Sequence, residues 1–400
     1  MARVASGLDV LCAERLELCR GRRVGVLCHP ASVDAQLVHV VDRLMAVGVR
    51  PARLFGPEHG VRGEAQDMVS VQGERDQRTG IAVASLYGQS LESLQPSQEA
   101  LADVDVLLVD LQDIGSRYYT FVWTLALSMQ AAARAGVAVV VLDRPNPLGG
   151  DAIEGGDVEP GCESFVGLAS VPVRHGLTIA EVAHLVRAGV PWGGSRFAAP
   201  LDLDLTVVPM RGWRRRDFFE ATGLPWIMPS PNMPTVDSAF VYPGLCLIEG
   251  TNLSEGRGTT RPFEIIGAPF VDGYRLAERL AGHRLPGVGF RPLCFRPTFH
   301  KFAGQVCGGI QLHVTDRAVF EPYRCGVSVL RELHAMCGEA FRWRSEPYEF
   351  VSDRLAIDLL TGGDAIRTGI ERGATLGELE ATWLPAQRRF AERRQPHLLY

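Results

Sequence analysis

The sequence predicts an α/β protein built on a mostly parallel sheet. Three observations carry that expectation. Short β-branched runs alternate with amphipathic stretches through the first half, the runs are apolar almost throughout, and each ends in a cluster of polar residues. Near-continuous apolar strands separated by helices are expected where crossover helices cover both faces of a parallel sheet.

Residues 23–27 open the series as a strand. Residues 34–47 read as an amphipathic helix, with Leu37, Val38, Val41, Leu44 and Met45 on one face and Gly48 as its stop. Residues 52–55 form the second strand, and 104–109 the next after a long excursion. A helix over 119–134, ended by Gly136, leads to a strand over 137–142. Residues 171–174 are a possible strand before a capping box, Thr178 with Glu181, that opens a helix through Val186. Residues 205–210 and 245–248 are expected as later strands of the same sheet. Beyond about Pro262 the pattern changes to strands over 288–296 and 309–314 and a helix over 323–336. The expected organisation is a Rossmann-like domain with flanking helices over 1–260 and a smaller α+β domain over 261–400 that closes the cleft.

Composition narrows the function. A hydrophobic content of 46%, a charged content of 22% and a net charge of −5 give no reason to expect nucleic acid or a membrane as partner. The first residues lack the apolar core of a signal peptide, and the least polar stretch, 121–133, is too short to span a bilayer, so a cytoplasmic protein is expected. Nine cysteines without a C-x-x-C pair fit reduced thiols better than disulfides or zinc. Lys301 is the only lysine, which removes a P-loop and leaves one Schiff-base candidate. Arg261 stands where a G-x-G-x-x-G starting at Gly256 and Gly258 would need its third glycine, and neither H-E-x-x-H nor G-x-S-x-G occurs. No metal and no organic cofactor is expected. Oligomeric state stays open.

The strand ends point to a site. They read Cys28-His29, Gly56-Pro57-Glu58-His59, Asp110-Leu111-Gln112-Asp113 and Asp143-Arg144-Pro145-Asn146. In open α/β sheets ligands bind beyond the carboxyl ends of the strands. A second source is the Pro- and Gly-rich segment 225–264, which carries Trp226, Asn232, Met233, Glu249, Asn252, Glu255 and Arg257. Long irregular segments with such varied side chains are more often binding loops than spacers.

Carboxylates, amides, arginines and aromatics are the inventory of carbohydrate chemistry. A glycosidase needs one carboxyl to protonate the departing oxygen and a second group to stabilise or attack the anomeric centre. Glu58 either points into the crevice or caps the next helix, and Glu255 is either a site acid or a loop acid. One of Asp110 and Asp113 is expected to tie down loop amides. Arg62, Arg117 and Arg257 either read an anionic substrate group or pair with neighbouring acids. His59 and His175 are structural histidines or site residues at strand ends.

Six ordered motifs now resemble one family. They are Gly56 to Gly63, Asp110 to Thr120, Leu142 to Gly150, Pro229 to Thr235, Glu249 to Thr260 and Pro262-Phe263-Glu264. The chain resembles the exo-acting β-N-acetylmuramidases of the NamZ type from its N-terminal region to Tyr400. The resemblance implies a Rossmann-like catalytic domain, a smaller C-terminal domain and a cleft between them. It also implies release of N-acetylmuramic acid from the non-reducing end of peptidoglycan fragments. Glu58 and Glu255 are then the expected catalytic acids. His59, Arg62, Asp110, Gln112, Asp113, Arg117, Tyr118, His175, Asn232, Asn252 and Arg257 are the expected substrate contacts. The competing readings are a non-catalytic muropeptide-binding sensor or carrier, and a small-molecule transferase or nucleotide-using enzyme on a Rossmann-like core, against which the missing glycine fingerprint counts.

Overall fold

The structure, a computed structural model, describes residues 3–58, 60–61, 75–88 and 90–400. His59 and Arg62 lie outside the described residues.

Six strands form one parallel sheet: β1 (Val24–Cys28), β2 (Arg53–Gly56), β3 (Val83–Ser85), β4 (Val106–Asp110), β5 (Ala138–Leu142) and β6 (Leu205–Val208). Their order is β3-β2-β1-β4-β5-β6, the order of a dinucleotide-binding sheet, so the chain reverses direction across the sheet between β1 and β4. Alternate residues serve two cores. Leu107 and Val109 face one with Leu27, Phe55 and Val141, whereas Val106 and Leu108 face the other with Val26, Leu54 and Val140. Burial on both faces is why these strands read as unbroken apolar runs.

A smaller antiparallel sheet follows, ordered β7-β9-β8, from β7 (Ile265–Ala268), β8 (Val288–Phe295) and β9 (Cys307–Val314). Its core is continuous with the larger one, since Ile266, Ile310, Leu330 and Leu359 belong to the same cluster as Val109 and Phe240. The helices Val236–Leu245 and Pro322–Cys337 lock the two parts together at paired glycines. A Cβ on Gly244 would overlap the Pro322 carbonyl, and one on Gly326 the Gly244 carbonyl.

Three expectations need correction. Residues 245–248 end a helix and enter a 3-10 turn instead of forming a strand. Phe240 to Glu249 is buried all round, and a fully buried helix is not distinguishable from a core strand by periodicity. The helix expected from residue 34 spans Val40–Ala46, because Asp34 Oδ1 accepts from the amides of Gln36 and Val38 and closes a turn first. Residues 171–174 make isolated bridges only, with Arg174 pairing Ser116 and Glu154. The capping box is present, Thr178 and Glu181 each accepting the other's backbone amide at 3.3 and 2.9 Å.

The last residue closes the structure. Tyr400 donates its hydroxyl to Asp143 Oδ2 and accepts from the Met210 amide, both at 2.7 Å. All nine cysteines are free thiols. Among the described residues no helix is long and apolar enough to cross a membrane.

Candidate active site

The crevice between β1 and β4, where this strand order would receive a nucleotide, is filled by the protein itself. His29 Nε2 accepts from the Gln112 amide at 2.9 Å, and its Nδ1 lies 3.3 Å from the Pro229 carbonyl. Arg144 clamps Asp110, with Nη2 to Oδ2 2.8 Å, and donates to the Val33 carbonyl. Gln112 donates its side-chain amide to the Asp113 and Pro145 carbonyls at 2.7 and 2.9 Å. Asp110 and Gln112 therefore hold loops, a role that the sequence alone did not separate from substrate contact.

The concave site lies beside it, where β2, the start of the helix Phe121–Ala135 and the Pro/Gly-rich segment converge. Glu58, Tyr118, Tyr119, Ser230, Asn232, Glu249, Arg257, Phe263, Tyr348 and Glu349 line this cavity. Glu58 is only 8% exposed, and Thr120 Oγ1 donates to its Oε2 at 2.8 Å, which fixes the carboxyl's orientation. The phenol of Tyr119 is pushed well above its ordinary pKa by burial, with Ser230 and Arg257 acting the other way and Asp113 and Glu58 adding to the rise. It stays protonated, so it remains a hydrogen-bond donor at neutral pH.

Across from Glu58, a chain of charges runs into the protein. Tyr348 donates to Glu249 Oε2 at 2.7 Å, and Arg257 donates to Glu249 Oε1 at 2.7 Å while its Cζ sits 5.2 Å from the Phe263 ring centroid. Behind Arg257 stands Glu255, fully buried, 3.4 Å from Arg257 Nε, 3.2 Å from His300 Nδ1 and 3.0 Å from Lys301 Nζ. Burial alone would push this carboxyl up. Lys301, the His300 contact and Arg257 overcome it and hold the group far below the ordinary carboxylate range. Glu255 is thus held in its ionised form and does not line the cavity, which does not suit a proton donor. Its geometry is that of a positioning residue for Arg257.

The other expected contacts divide. Asn232 lines the cavity. Tyr118 lines it too, but its hydroxyl is committed to the Pro243 carbonyl. Arg117 is fully buried and donates to the carbonyls of Gly156, Val171 and Leu360 at 2.7–2.9 Å, so it is a structural pillar and not a substrate contact. Asp113 accepts from the Gly115 amide at 2.6 Å and faces His175 Nε2 at 3.7 Å. Since His175 Nδ1 accepts from the Leu177 amide, Nε2 carries the proton that points toward Asp113. Asn252 is tied to Ala340 and Arg342 outside the cavity. Glu349 and Tyr348, which no sequence motif marked, reach the site from the far end of the chain. Glu349 has a φ of 48°, a left-handed value that non-glycine residues adopt mainly where the surroundings impose it.

Comparison with known proteins gives the family. Residues 24–237 match the family described as exo-beta-N-acetylmuramidase NamZ, N-terminal, and residues 240–400 match its C-terminal counterpart. The chain belongs to the NamZ family. It is a glycoside hydrolase of the exo-β-N-acetylmuramidase class. The peptidoglycan β-N-acetylmuramidase NamZ of Bacillus subtilis (strain 168) is 44% identical, over 100% of this chain and 92% of that protein. Two DUF1343 family proteins of Bacteroides fragilis NCTC 9343 have similar crystal structures. One has a TM-score of 0.88 at 32% identity, covering 100% of both chains; the other has 0.78 at 27%, covering 100% of this chain and 99% of its own.

Proposed function

We propose that the chain releases N-acetylmuramic acid from the non-reducing end of peptidoglycan fragments, with Glu58 as the general acid. The observation that supports this assignment is the placement of Glu58. It stands on the cavity wall, oriented by Thr120, with Glu249, Glu349 and the Arg257 guanidinium lining the same cavity. In this reading Glu58 protonates the departing glycosidic oxygen. A cavity carboxylate, Glu249 or Glu349, or the substrate's own acetamido group, supports the anomeric centre. Arg257 reads the lactyl carboxylate of the muramic sugar, and Glu255 with Lys301 holds that arginine in place. The free thiols suit a reducing compartment, which supports a cytoplasmic location.

Turnover of a chromogenic N-acetylmuramic acid glycoside, set beside the matching N-acetylglucosamine glycoside, tests the reading. Hydrolysis of the first and little of the second is expected. Tight binding of the muramic glycoside without turnover would mark a sensor or carrier instead.

A further inference from the structure

A second concavity, with a volume of about 640 Å³, lies on the C-terminal part next to the cavity. That size is in the range of small-ligand sites. Its lining pairs aromatic rings with cations: Phe270, Phe302 and Trp343 with Lys301, Arg342 and Arg344. Phe270 is 37% exposed, and Arg342 is exposed with no ion-pair partner among the described residues. One carboxylate, Glu346, also stands at the edge.

Two segments line both concavities. The chain that places Glu249 in the cavity continues to Thr251 and Asn252 in the groove, and the one that lines the groove from Arg342 to Glu346 continues to Tyr348 and Glu349. The guanidinium of Arg344 sits over the Tyr348 ring, 4.9 Å from its centroid. Lys301 reaches inward from the groove to Glu255 and hence to Arg257. His300 and Phe302, on either side of Lys301, hold left-handed φ values of 67° and 58°. Strain of this kind persists where the surroundings enforce it, commonly at functional sites.

Resting on the glycosidase reading of the cavity, we infer that this groove binds the reducing-end side of the glycan, with a second muramic carboxylate placed on Arg342. The chemistry fits that occupant. Sugar rings stack on exposed aromatic faces, and a peptidoglycan glycan freed of its stem peptides carries a lactyl carboxylate on every second sugar, so an aromatic floor with an unpaired arginine suits a peptide-free muramic-containing strand better than an uncharged one. The groove therefore selects longer substrates by binding the part that leaves.

The test compares kcat/KM for a muramic-terminated disaccharide, a tetrasaccharide with a second muramic residue, and a tetrasaccharide extended by N-acetylglucosamine alone. Wild type should favour the muramic tetrasaccharide over the disaccharide by ~5- to 10-fold, the size expected of one partly exposed charge-assisted hydrogen bond. Arg342→Met should remove most of that gain and leave the disaccharide unchanged. Phe270→Ala should weaken both tetrasaccharides together. Equal kcat/KM for the three substrates overturns the inference, and so does an Arg342→Met variant that keeps the full preference. Should the chromogenic muramic glycoside resist hydrolysis, the reading of the cavity fails instead. Calorimetric binding of the same saccharides then decides for the groove, tighter binding of the muramic tetrasaccharide supporting it and equal binding overturning it.

Discussion

Lys301 places its ammonium 3.0 Å from the fully buried carboxylate of Glu255 and also donates to the Leu253 carbonyl at 2.9 Å. The chain's only lysine thus closes a buried network in which Glu255 has no solvent to stabilise its charge. Removing one partner of such a pair leaves an uncompensated ion, typically at a cost of about 3–5 kcal/mol. Lys301→Met should lower stability by that order in urea unfolding. An unchanged midpoint would show that His300 and Arg257 suffice to neutralise Glu255.

The same network sets an acid limit. The folded pKa of Glu255 lies below its unfolded value, so the unfolded chain binds more protons as pH falls through the ordinary carboxylate range. Stability from this group is complete above that range and declines below it. A melting-temperature profile should fall between about pH 5 and pH 3, and Glu255→Gln should flatten it. An equally steep decline in the variant would assign the acid sensitivity to other carboxylates.

General acid catalysis contributes typically ~10²- to 10⁴-fold. Glu58→Gln keeps the size of the side chain and the Thr120 contact, so it should lose at least ~100-fold in kcat on the chromogenic glycoside with unchanged melting temperature. Glu255→Gln should lose less and act through a displaced Arg257. Near-wild-type turnover by the Glu58 variant would remove that residue from the mechanism.

The contact between Gly244 and Gly326 makes a prediction about the fold alone. A methyl group at either position meets backbone, which cannot rotate away as a side chain would. Gly326→Ala should therefore destabilise by at least the ~1–3 kcal/mol of ordinary overpacking, although alanine is the better helix former. A variant as stable as wild type would mean that the two helices separate freely.

Much of the site's location was legible because a parallel sheet sends all its strand ends to one edge. The polar residues after β1, β2, β4 and β5 could be read from order alone. Their roles were not legible. His29, Gln112 and Asp110 occupy the positions of ligand contacts and instead fill the crevice with hydrogen bonds to backbone and Arg144. Pairing of that sort depends on residues brought from elsewhere in the chain. The strand expected at 245–248 failed for a related reason, since neither a buried helix nor a buried strand shows a polar face. Glu349 and Tyr348 carry no local signal, and only the packing of the C-terminal helices against the helix Val236–Leu245 and the turn that follows it brings them to the cavity that Glu249 lines.

The three arginines near the motifs had equal standing in sequence, and the structure separates two of them. Arg117 supports three backbone carbonyls and does not line the site cavity, whereas Arg257 lines it beside Glu249. The two should fail differently when replaced by methionine. Arg117→Met strands buried carbonyls at about 1–3 kcal/mol each, so its effect should fall on melting temperature, with discrimination between muramic acid and N-acetylglucosamine glycosides intact in the protein that folds. On the proposed reading Arg257→Met removes a charge-assisted hydrogen bond to the lactyl carboxylate, worth roughly 1.5–3 kcal/mol, and should erode that discrimination by about 10- to 150-fold. The ratio of kcat/KM for the two glycosides reads the effect directly. If Arg257→Met keeps the wild-type ratio while Arg117→Met loses it, the assignment is reversed, and the carboxylate is read through the wall that Arg117 supports.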